Sequence, residues 1–564
     1  MKLLLVLILI LSVQTVFAQN VQWTSVIQAG HKCTSIETDA DNTVYSAGEF
    51  YSKIPVTAVF NDSAFSNAAE TNAYVAKTDN EMNILWLKVI ESSWTAADPV
   101  VGVDSDKNVI VALTWYDDLR FDSVVILDDK HDRHGLIVKF DSIGNLLWYN
   151  LIKTTDFVLI NDISVDEGNN IWITGCFNGE MTVESADSVN VNLSEEGQRT
   201  GFLAKYAPSG NLIVAKSIEN QSSLSIEAIA VDAQSNVFLT GWFAGEANWG
   251  NYPASAYHTD VFLVCYNSAM ELEWFRQMGV QQNSSILESG QSLAFDQKQE
   301  NIYVTGNVRD NADFGGGTIT VNDKNIFLAK YSVGGQLKWV KTMGSWSGAA
   351  SYVETGIDVV TDKIDNVFLL GDYMWQATIG DTIISIPHDN NEAWTIFIAK
   401  FDANGDLFWV QQPGSKCPRE RKYMLVCDSQ HLIYTGGVIQ SGSLFGDIPY
   451  MKTEDMEIGG FIATLKDNER PTSVQKLTFD DELKLAVSPN PFSSSFFAEL
   501  ATPEGGLLEI QLSNNQGAAV YKQQVMVSPG STVNINPGDI PAGTYITSFV
   551  LGKKIIRGKL VKVK

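Results

Sequence analysis

The stretch Asp323–Met343, DKNIFLAKYSVGGQLKWVKTM, reads as a β-hairpin, and versions of it recur along almost the whole chain. Ile326–Tyr331 alternates large apolar with small or polar residues. Gly334-Gly335 supplies a turn at little steric cost, and Leu337–Met343 resumes the alternation around Trp339. The first half recurs as AYVAK (Ala73–Lys77), GLIVK (Gly135–Lys139), GFLAK (Gly201–Lys205), VFLVC (Val261–Cys265), IFLAK (Ile326–Lys330), IFIAK (Ile396–Lys400) and GFIAT (Gly460–Thr464).

Upstream of each copy lies a second pattern: an apolar strand ending in Asp, a polar turn, then an apolar strand ending in Thr-Gly or a relative of it, as in Ala228–Gly241, Ser292–Gly306 and Asp358–Gly371. Leu113 stands in place of the Gly in the second repeat, which removes a backbone freedom that Gly provides elsewhere. The Trp strand occurs at Trp23, Trp86, Trp148, Trp274, Trp339 and Trp409, with Val214 in the remaining position. Its first copy, Gln22–Ile27, precedes the first repeat, whereas no Trp strand follows the last. A ring pairs these two orphans. Seven antiparallel four-stranded sheets around an axis, with the N-terminal strand completing the last, make a seven-bladed β-propeller, an all-β fold that leaves only short sheet edges.

At 564 residues the chain exceeds one ordinary core, and 45% apolar with 19% charged residues excludes wholesale disorder. Residues 1–18 combine Lys2, an apolar run and Val16-Phe17-Ala18, the pattern of a signal peptide, and no later segment is long and apolar enough for a transmembrane helix. Five Cys are too few for a disulfide framework; Cys417 and Cys427 are the one pair that a loop would bring together. A formal charge of −27, carried by the part before residue 482, repels nucleic acid and anionic lipid and suits solubility outside the cell; a monomer is expected.

The repeats end near residue 467, so the propeller spans 19–467, and the polar, Pro-containing stretch 468–481 reads as a linker. Residues 482–564 then show seven short alternating segments separated by Pro, Gly and Asn turns, which predicts a small β-sandwich.

Two resemblances follow from these motifs. The repeat resembles the β-propeller repeat of secreted bacterial proteins, with a Gly-Asn turn, a Thr-Gly strand and a Lys-Tyr/Phe strand leading to Leu-x-Trp. The C-terminal module resembles the type A sorting domain of the type IX secretion system of Bacteroidetes. SPNPF (Ser488–Phe492, with Pro489, Asn490, Pro491 and Phe492), Ile510–Tyr521, IPAGTYITSF (Ile540–Phe549, with Gly543 and Tyr545) and the basic end Lys553–Lys564 carry that likeness. It implies passage across the outer membrane and contact with the type IX machinery. Five Asp-Ser/Thr-apolar triplets, among them Asp122-Ser123-Val124, Asp187-Ser188-Val189 and Asp381-Thr382-Ile383, are similar to the O-glycosylation acceptor of those bacteria and equally read as Asp-initiated turns.

Antiparallel order puts the short turns on one rim and the long loops on the other, so a ligand site belongs on the long-loop rim. Trp94, Trp115, Trp242, Trp249, Trp346, Trp375 and Trp394 fall there, with His31, His131, His134, His258 and His388. Trp115, Trp242, Trp249, Trp346 and Trp375, with His258 and His388, are the candidate ligand-binding residues; several of the Trp equally serve to plug loops onto sheets. His131-Asp132-Arg133-His134 has HxxH spacing without a third ligand, so no metal site is assigned. Asp39–Asn42, Asp104–Asn108, Asp166–Asn170 and Asp402–Asp406 have the residue types of calcium loops but not the 12-residue ligand pattern; calcium stays open, and no other cofactor is expected. The preferred reading is a surface module that binds a glycan or protein. The alternative is a polysaccharide hydrolase or lyase on the same rim.

Overall fold

A computed structural model of the chain describes residues 21–51, 57–60, 63–66, 71–128, 132–218, 222–250, 252–279, 288–309, 311–320, 325–344, 354–385, 394–413, 422–450, 458–467, 477–478, 484–488, 495–501, 505–513, 519–528, 532–538, 540–541, 543–551 and 554–562. It divides into two units, a body of residues 1–466 and a C-terminal unit of 467–564. The described residues are all-β.

The body repeats one antiparallel sheet of four strands seven times. In the fifth repeat these are Ser289–Phe295, Asn301–Asn307, Ile326–Ser332 and Leu337–Met343, the opening hairpin being the last two. Its alternation sorts side chains between two cores. Phe327, Ala329 and Tyr331 pack toward the fourth repeat, while Ile326 and Leu328 pack toward the sixth. The third strand is therefore buried on both faces, and the hydrophobic layers lie between consecutive repeats.

Innermost strands of successive repeats lie side by side, from Lys32–Thr38 and Thr95–Val103 through Phe157–Val165, Ser223–Val231, Ser289–Phe295 and Gly356–Thr361 to Met424–Cys427. The last of these also touches the first. The N-terminal strand Val21–Gln28 completes the final sheet beside Ile458–Asp467, where Thr24 Oγ1 donates to the Thr464 carbonyl at 3.2 Å. Each innermost strand is a sheet edge with N–H groups that need acceptors. Side chains of the preceding repeat supply them: Ser35 Oγ accepts from Val101 N (3.1 Å), Asp162 Oδ2 from Ile229 N (2.8 Å), Ser292 Oγ from Val359 N (3.3 Å) and Asp358 Oδ2 from Leu425 N (2.7 Å).

The first turn of every repeat is built around an Asp whose carboxylate accepts backbone N–H groups, two and four residues on in six repeats and four and five residues on at Asp296 in the fifth. Asp104 Oδ1, for example, accepts from Asp106 N (3.0 Å) and Asn108 N (2.8 Å). One residue in each takes positive φ: Asn42, Lys107, Asn169, Ser235, Gln299, Asp365 and His431. Six of these side chains reach the turn of the preceding repeat. Lys107 meets Asp41, Asn169 accepts from Ser105 N, Gln299 from Ala233 N, Asp365 from Gln297 N, His431 lies against Asp362, and Asn42 accepts from Ser429 N of the seventh repeat. The acidic turns with calcium-loop residue types thus use their carboxylates on their own backbone.

The outer Trp strands explain their recurrence at the other hairpin. Trp86, Trp148, Trp274 and Trp339 donate Nε1–H to the carbonyls of Ser142, Pro208, Val333 and Ala403, each in the hairpin turn of the next repeat, at 3.3, 3.0, 2.9 and 3.2 Å. A positive-φ Gly sits on each ring: Gly144 on Trp86, Gly210 on Trp148, Gly335 on Trp274 and Gly405 on Trp339. Only the second Gly of the Gly334-Gly335 pair takes positive φ, at +76°. Where Val214 replaces Trp, the next turn carries Met270 instead of Gly.

The Gly of the Thr-Gly strands has a different cause. A β-bulge in the innermost strand brings a carbonyl so close that a Cβ on Gly48, Gly175, Gly241 or Gly306 would lie 1.9–2.1 Å from it. Opposite Leu113 the ladder loses its pairing over Asp98-Pro99, and Asp98 turns to φ +52°, which makes room for the side chain. Gly241→Ala is therefore expected to lower the stability of the body by at least ~2 kcal/mol, because backbone rather than a flexible side chain must move. A urea melt with an unchanged midpoint would contradict this.

All seven long loops contain further strand pairing. Short hairpins occupy five of them, such as Leu119–Phe121 with Val124–Ile126 and Gln376–Ile379 with Thr382–Ser385. In repeats three and four the second and third strands run on as long hairpins, Ile171–Val183 with Val191–Tyr206 and Val237–Trp249 with Tyr252–Tyr266. The triplets at Asp122, Asp187 and Asp381 sit at the turns of such hairpins, with Val189 and Ile383 exposed.

The C-terminal unit is two four-stranded sheets over a shared core. One holds Leu477–Thr478, Lys484–Ser488, Phe496–Ala501 and Thr532–Ile535; the other holds Ala519–Val527, Gly506–Ser513, Gly543–Leu551 and Lys554–Lys562. Phe496, Val533 and Ile535 from the first meet Leu508, Ile510, Leu512 and Phe549 from the second. Leu477–Thr478 adds a strand inside the stretch expected to be a linker. Tyr545 is buried and donates its hydroxyl to the Pro541 carbonyl at 2.5 Å, while Gly543 pairs with Lys562. Pro489, Asn490, Pro491 and Phe492 lie outside the described residues.

Candidate ligand-binding strip on the loop-rich end

Strand alternation at the end of Val109–Tyr116 sends Trp115 and Tyr116 to opposite faces. Tyr116 opens a strip of aromatic and guanidinium groups across repeats two to four. Trp94, 50% exposed, tilts against Tyr116 with ring centroids 6.0 Å apart. The Arg133 guanidinium stands 4.9 Å over the Tyr116 ring and donates Nε–H to its hydroxyl at 2.7 Å. Arg133 is fixed from below, since its N–H donates to the Asp156 carbonyl and its own carbonyl accepts from Val158 N, both at 3.1 Å. This bridge sets Arg133 beside Phe157. Arg199 then lies between Phe157 and Trp242, 5.5 and 5.6 Å from their centroids, and Trp242 Nε1 donates to Glu227 Oε1 at 3.0 Å.

Trp115 faces the other way, into a groove of about 430 Å³ lined by Asp128, His134, Lys153, Glu180 and Thr182. It is only 1% exposed and lies 5.2 Å from the His134 ring, so it offers no open face for stacking. Thr154 N–H donates to His134 Nδ1 at 3.1 Å, which leaves the proton of the neutral ring on Nε2, 3.1 Å from Asp128 Oδ2. Burial lowers the His134 pKa against the opposing pull of Asp128. With both nitrogens engaged, His134 anchors the loop that carries Asp128 and has no nitrogen left for a metal. Its HxxH partner, His131, lies outside the described residues.

The other sequence candidates divide similarly. Trp242 belongs to the strip. Trp249 is 2% exposed, stacked on Phe275 at 5.1 Å and tilted against Phe262 at 4.9 Å, so it holds a hairpin down instead of meeting a ligand. Trp375 packs, partly buried, on the core between repeats five and six. His258 is exposed, edge-on to Tyr257. Trp346 and His388 lie outside the described residues, as does Cys417. Sequence reasoning passed over Tyr116, Phe157, Arg133, Arg199 and Glu227. Arginine itself was the available signal: residues 19–467 contain only seven, and two stand in this strip.

A second set of acids sits on the innermost strands. Burial pushes Glu37 and Asp162 up to about 7 and Asp358 up to about 6. Glu37 and Asp162 are also raised by the negative charge of Asp358. Glu37, Asp162 and Asp358 lie on the innermost strands of repeats one, three and six. Near Gly279, burial likewise raises Asp260 to about 6. Among the described residues no group of three or more His, Cys, Asp or Glu is arranged to hold a metal ion.

Residues 486–563 match the family model described as "Secretion system C-terminal sorting domain". The C-terminal unit is a sorting domain. The sorting domain marks the chain for export through the type IX secretion system of Bacteroidetes, implies interaction with that machinery, and makes this a secreted or cell-surface protein. No helix among the described residues is long and apolar enough to cross a membrane. The chain is also 22% identical over 463 residues to an uncharacterized WD repeat-containing protein of Acanthamoeba polyphaga mimivirus; the match takes in 67% of this chain and one third, 33%, of that relative's length. Among solved structures it is similar to a fungal alcohol oxidase of the AA5 family (11% identity, 96% of this chain and 99% of that one, TM-score 0.36). Sqt1 from Chaetomium thermophilum is another (10% identity, 74% and 97%, TM-score 0.34). These likenesses are too distant to carry an argument about activity.

Proposed function

We propose that the body is a closed seven-bladed β-propeller that binds a glycan along the Trp94–Trp242 strip of its loop-rich end, at the cell surface or beyond it. Closure is supported by the pairing of Val21–Gln28 into the last sheet and by the Asn42–Ser429 link between the first and seventh turns. The observation that carries the binding reading is the strip itself: aromatic faces from three successive repeats, one of them half exposed, interleaved with hydrogen-bonding side chains. Sugar rings present C–H faces that stack on such aromatics and hydroxyls that suit the polar groups between them.

A glycan array with the mature chain tests the reading. Trp94→Ala and Trp242→Ala are each expected to weaken the strongest interaction at least about tenfold, the effect of losing a central aromatic anchor. No retained glycan, or affinity unchanged in both variants, would overturn it.

A further inference from the structure

We infer that the ligand of this strip is an acidic saccharide, a uronate-bearing chain, with Arg133 as the residue that reads its carboxylate; this rests on the glycan-binding reading above. Arg133 is half-buried, and its Nε is committed to the Tyr116 hydroxyl while the ring supports the guanidinium plane. Its terminal nitrogens have no hydrogen-bond or ion-pair partner among the described residues, although the formal charge of the chain is −27. A cation with no carboxylate partner among the described residues of so acidic a protein is a fork held ready for one from outside. Arginine presents paired N–H donors in the plane that a carboxylate matches. Both the Nε bond and the backbone bridge to Phe157 set the fork before the ligand arrives, which reduces the ordering cost of binding.

The rest of the strip narrows the class. Trp94 offers an exposed aromatic face beside Tyr116, so the carboxylate belongs to a group with a flat apolar side, as a pyranose ring has. Asn178 Nδ2 donates to Asp156 Oδ2 at 2.5 Å and Glu227 accepts from Trp242, placing two carboxylates along the same path. These acids and the charge of the whole body oppose a densely sulfated or phosphorylated polymer, in which several anions would meet carboxylates at once. One carboxylate per ring is a charge density that the strip can take.

Calorimetry of the mature chain against galacturonate, glucuronate and mannuronate trimers, and against neutral hexose trimers of the same linkages, tests the inference. The wild type is expected to prefer at least one uronate trimer over its neutral counterpart by tenfold or more. Arg133→Gln should bring that preference within about threefold while neutral binding persists, and Arg133→Lys should restore it only in part. Retained neutral binding and an unchanged circular dichroism spectrum report that Arg133→Gln is folded. Equal binding of acidic and neutral trimers, or an acid preference that survives Arg133→Gln, would overturn the uronate assignment and leave glycan binding standing. Binding of neither class would overturn both, and capture of an acidic peptide in their place would assign the strip to a protein ligand.

Discussion

Trp274→Ala is expected to lower the stability of the body by about 3–5 kcal/mol, the range for removing a large buried aromatic side chain. The ring is 8% exposed, meets Phe238 edge-on at 6.0 Å, and donates to Val333 of the next repeat. Its loss leaves a cavity between repeats and an unpaired carbonyl. Gly335→Ala attacks the same joint from the other side, since its Cβ would lie 2.7 Å from the Trp274 ring at a φ of +76°. Part of that cost vanishes once the ring is gone, so the double variant should be more stable than the sum of the singles predicts, by about 1–2 kcal/mol. Urea unfolding of the four proteins measures this directly. Additivity within ~0.5 kcal/mol would mean that ring and glycine do not act on each other.

The second large effect is a stability that falls as pH rises from about 5 to 8. Glu37, Asp162, Asp358 and Asp260 have folded pKa values of about 6 to 7, above those of exposed carboxylates. The folded chain therefore binds more protons than the unfolded chain between about pH 4 and 7. Stability from these groups is fully present below the unfolded values and is lost as pH climbs through the folded ones, on the order of 2 kcal/mol per group. His134 opposes this, because its lowered pKa removes stability as pH falls below about 6.5. Asp104 and Asp166, whose pKa values are lowered by hydrogen bonds and lysine partners despite burial, lose theirs below about pH 4. Four groups outweigh one in the upper window, so thermal melts should show a maximum near pH 5. Glu37→Gln is the cleanest probe. Its carboxylate accepts a hydrogen bond from Thr38 N at 3.2 Å, which an amide oxygen can also accept, whereas Asp358 accepts from Ser292, Val359 and Leu425 together. A flat profile in the wild type, or a slope unaltered by Glu37→Gln, would contradict the assignment.

The fold was legible because its period is written in backbone necessities. Asp at the first turn, Gly under a Trp, and Gly facing a bulge each answer one geometric demand that recurs, so counting them counts the sheets. Leu113 and Val214 look like defects in the sequence; the structure accommodates each by a change elsewhere, in Asp98-Pro99 and at Met270. The hairpins inside the long loops were not legible, because their strands are three or four residues long in most repeats and carry no shared pattern. The site was legible only by halves. Placing the long loops on one end brought Trp94, Trp115, Trp242 and Trp249 into consideration. Burial then separated them, and burial depends on partners from other repeats, such as Phe275 on Trp249 or Tyr116 beside Trp94. Arg133 stands apart because, among the described residues, its guanidinium has no carboxylate partner.

The strand Val21–Gln28 has a kinetic meaning as well. Thr24 and Thr464 are 440 residues apart, so the seventh sheet stays one strand short until nearly the whole body has been made and folded. Closure entropy rises only slowly with loop length, yet contacts this distant in sequence form late. Until then Ile458–Asp467 is a bare edge that a second molecule's N-terminal strand would fit equally well. Refolding at high protein concentration should therefore yield strand-exchanged dimers, whereas dilution should favour each chain fastening its own end.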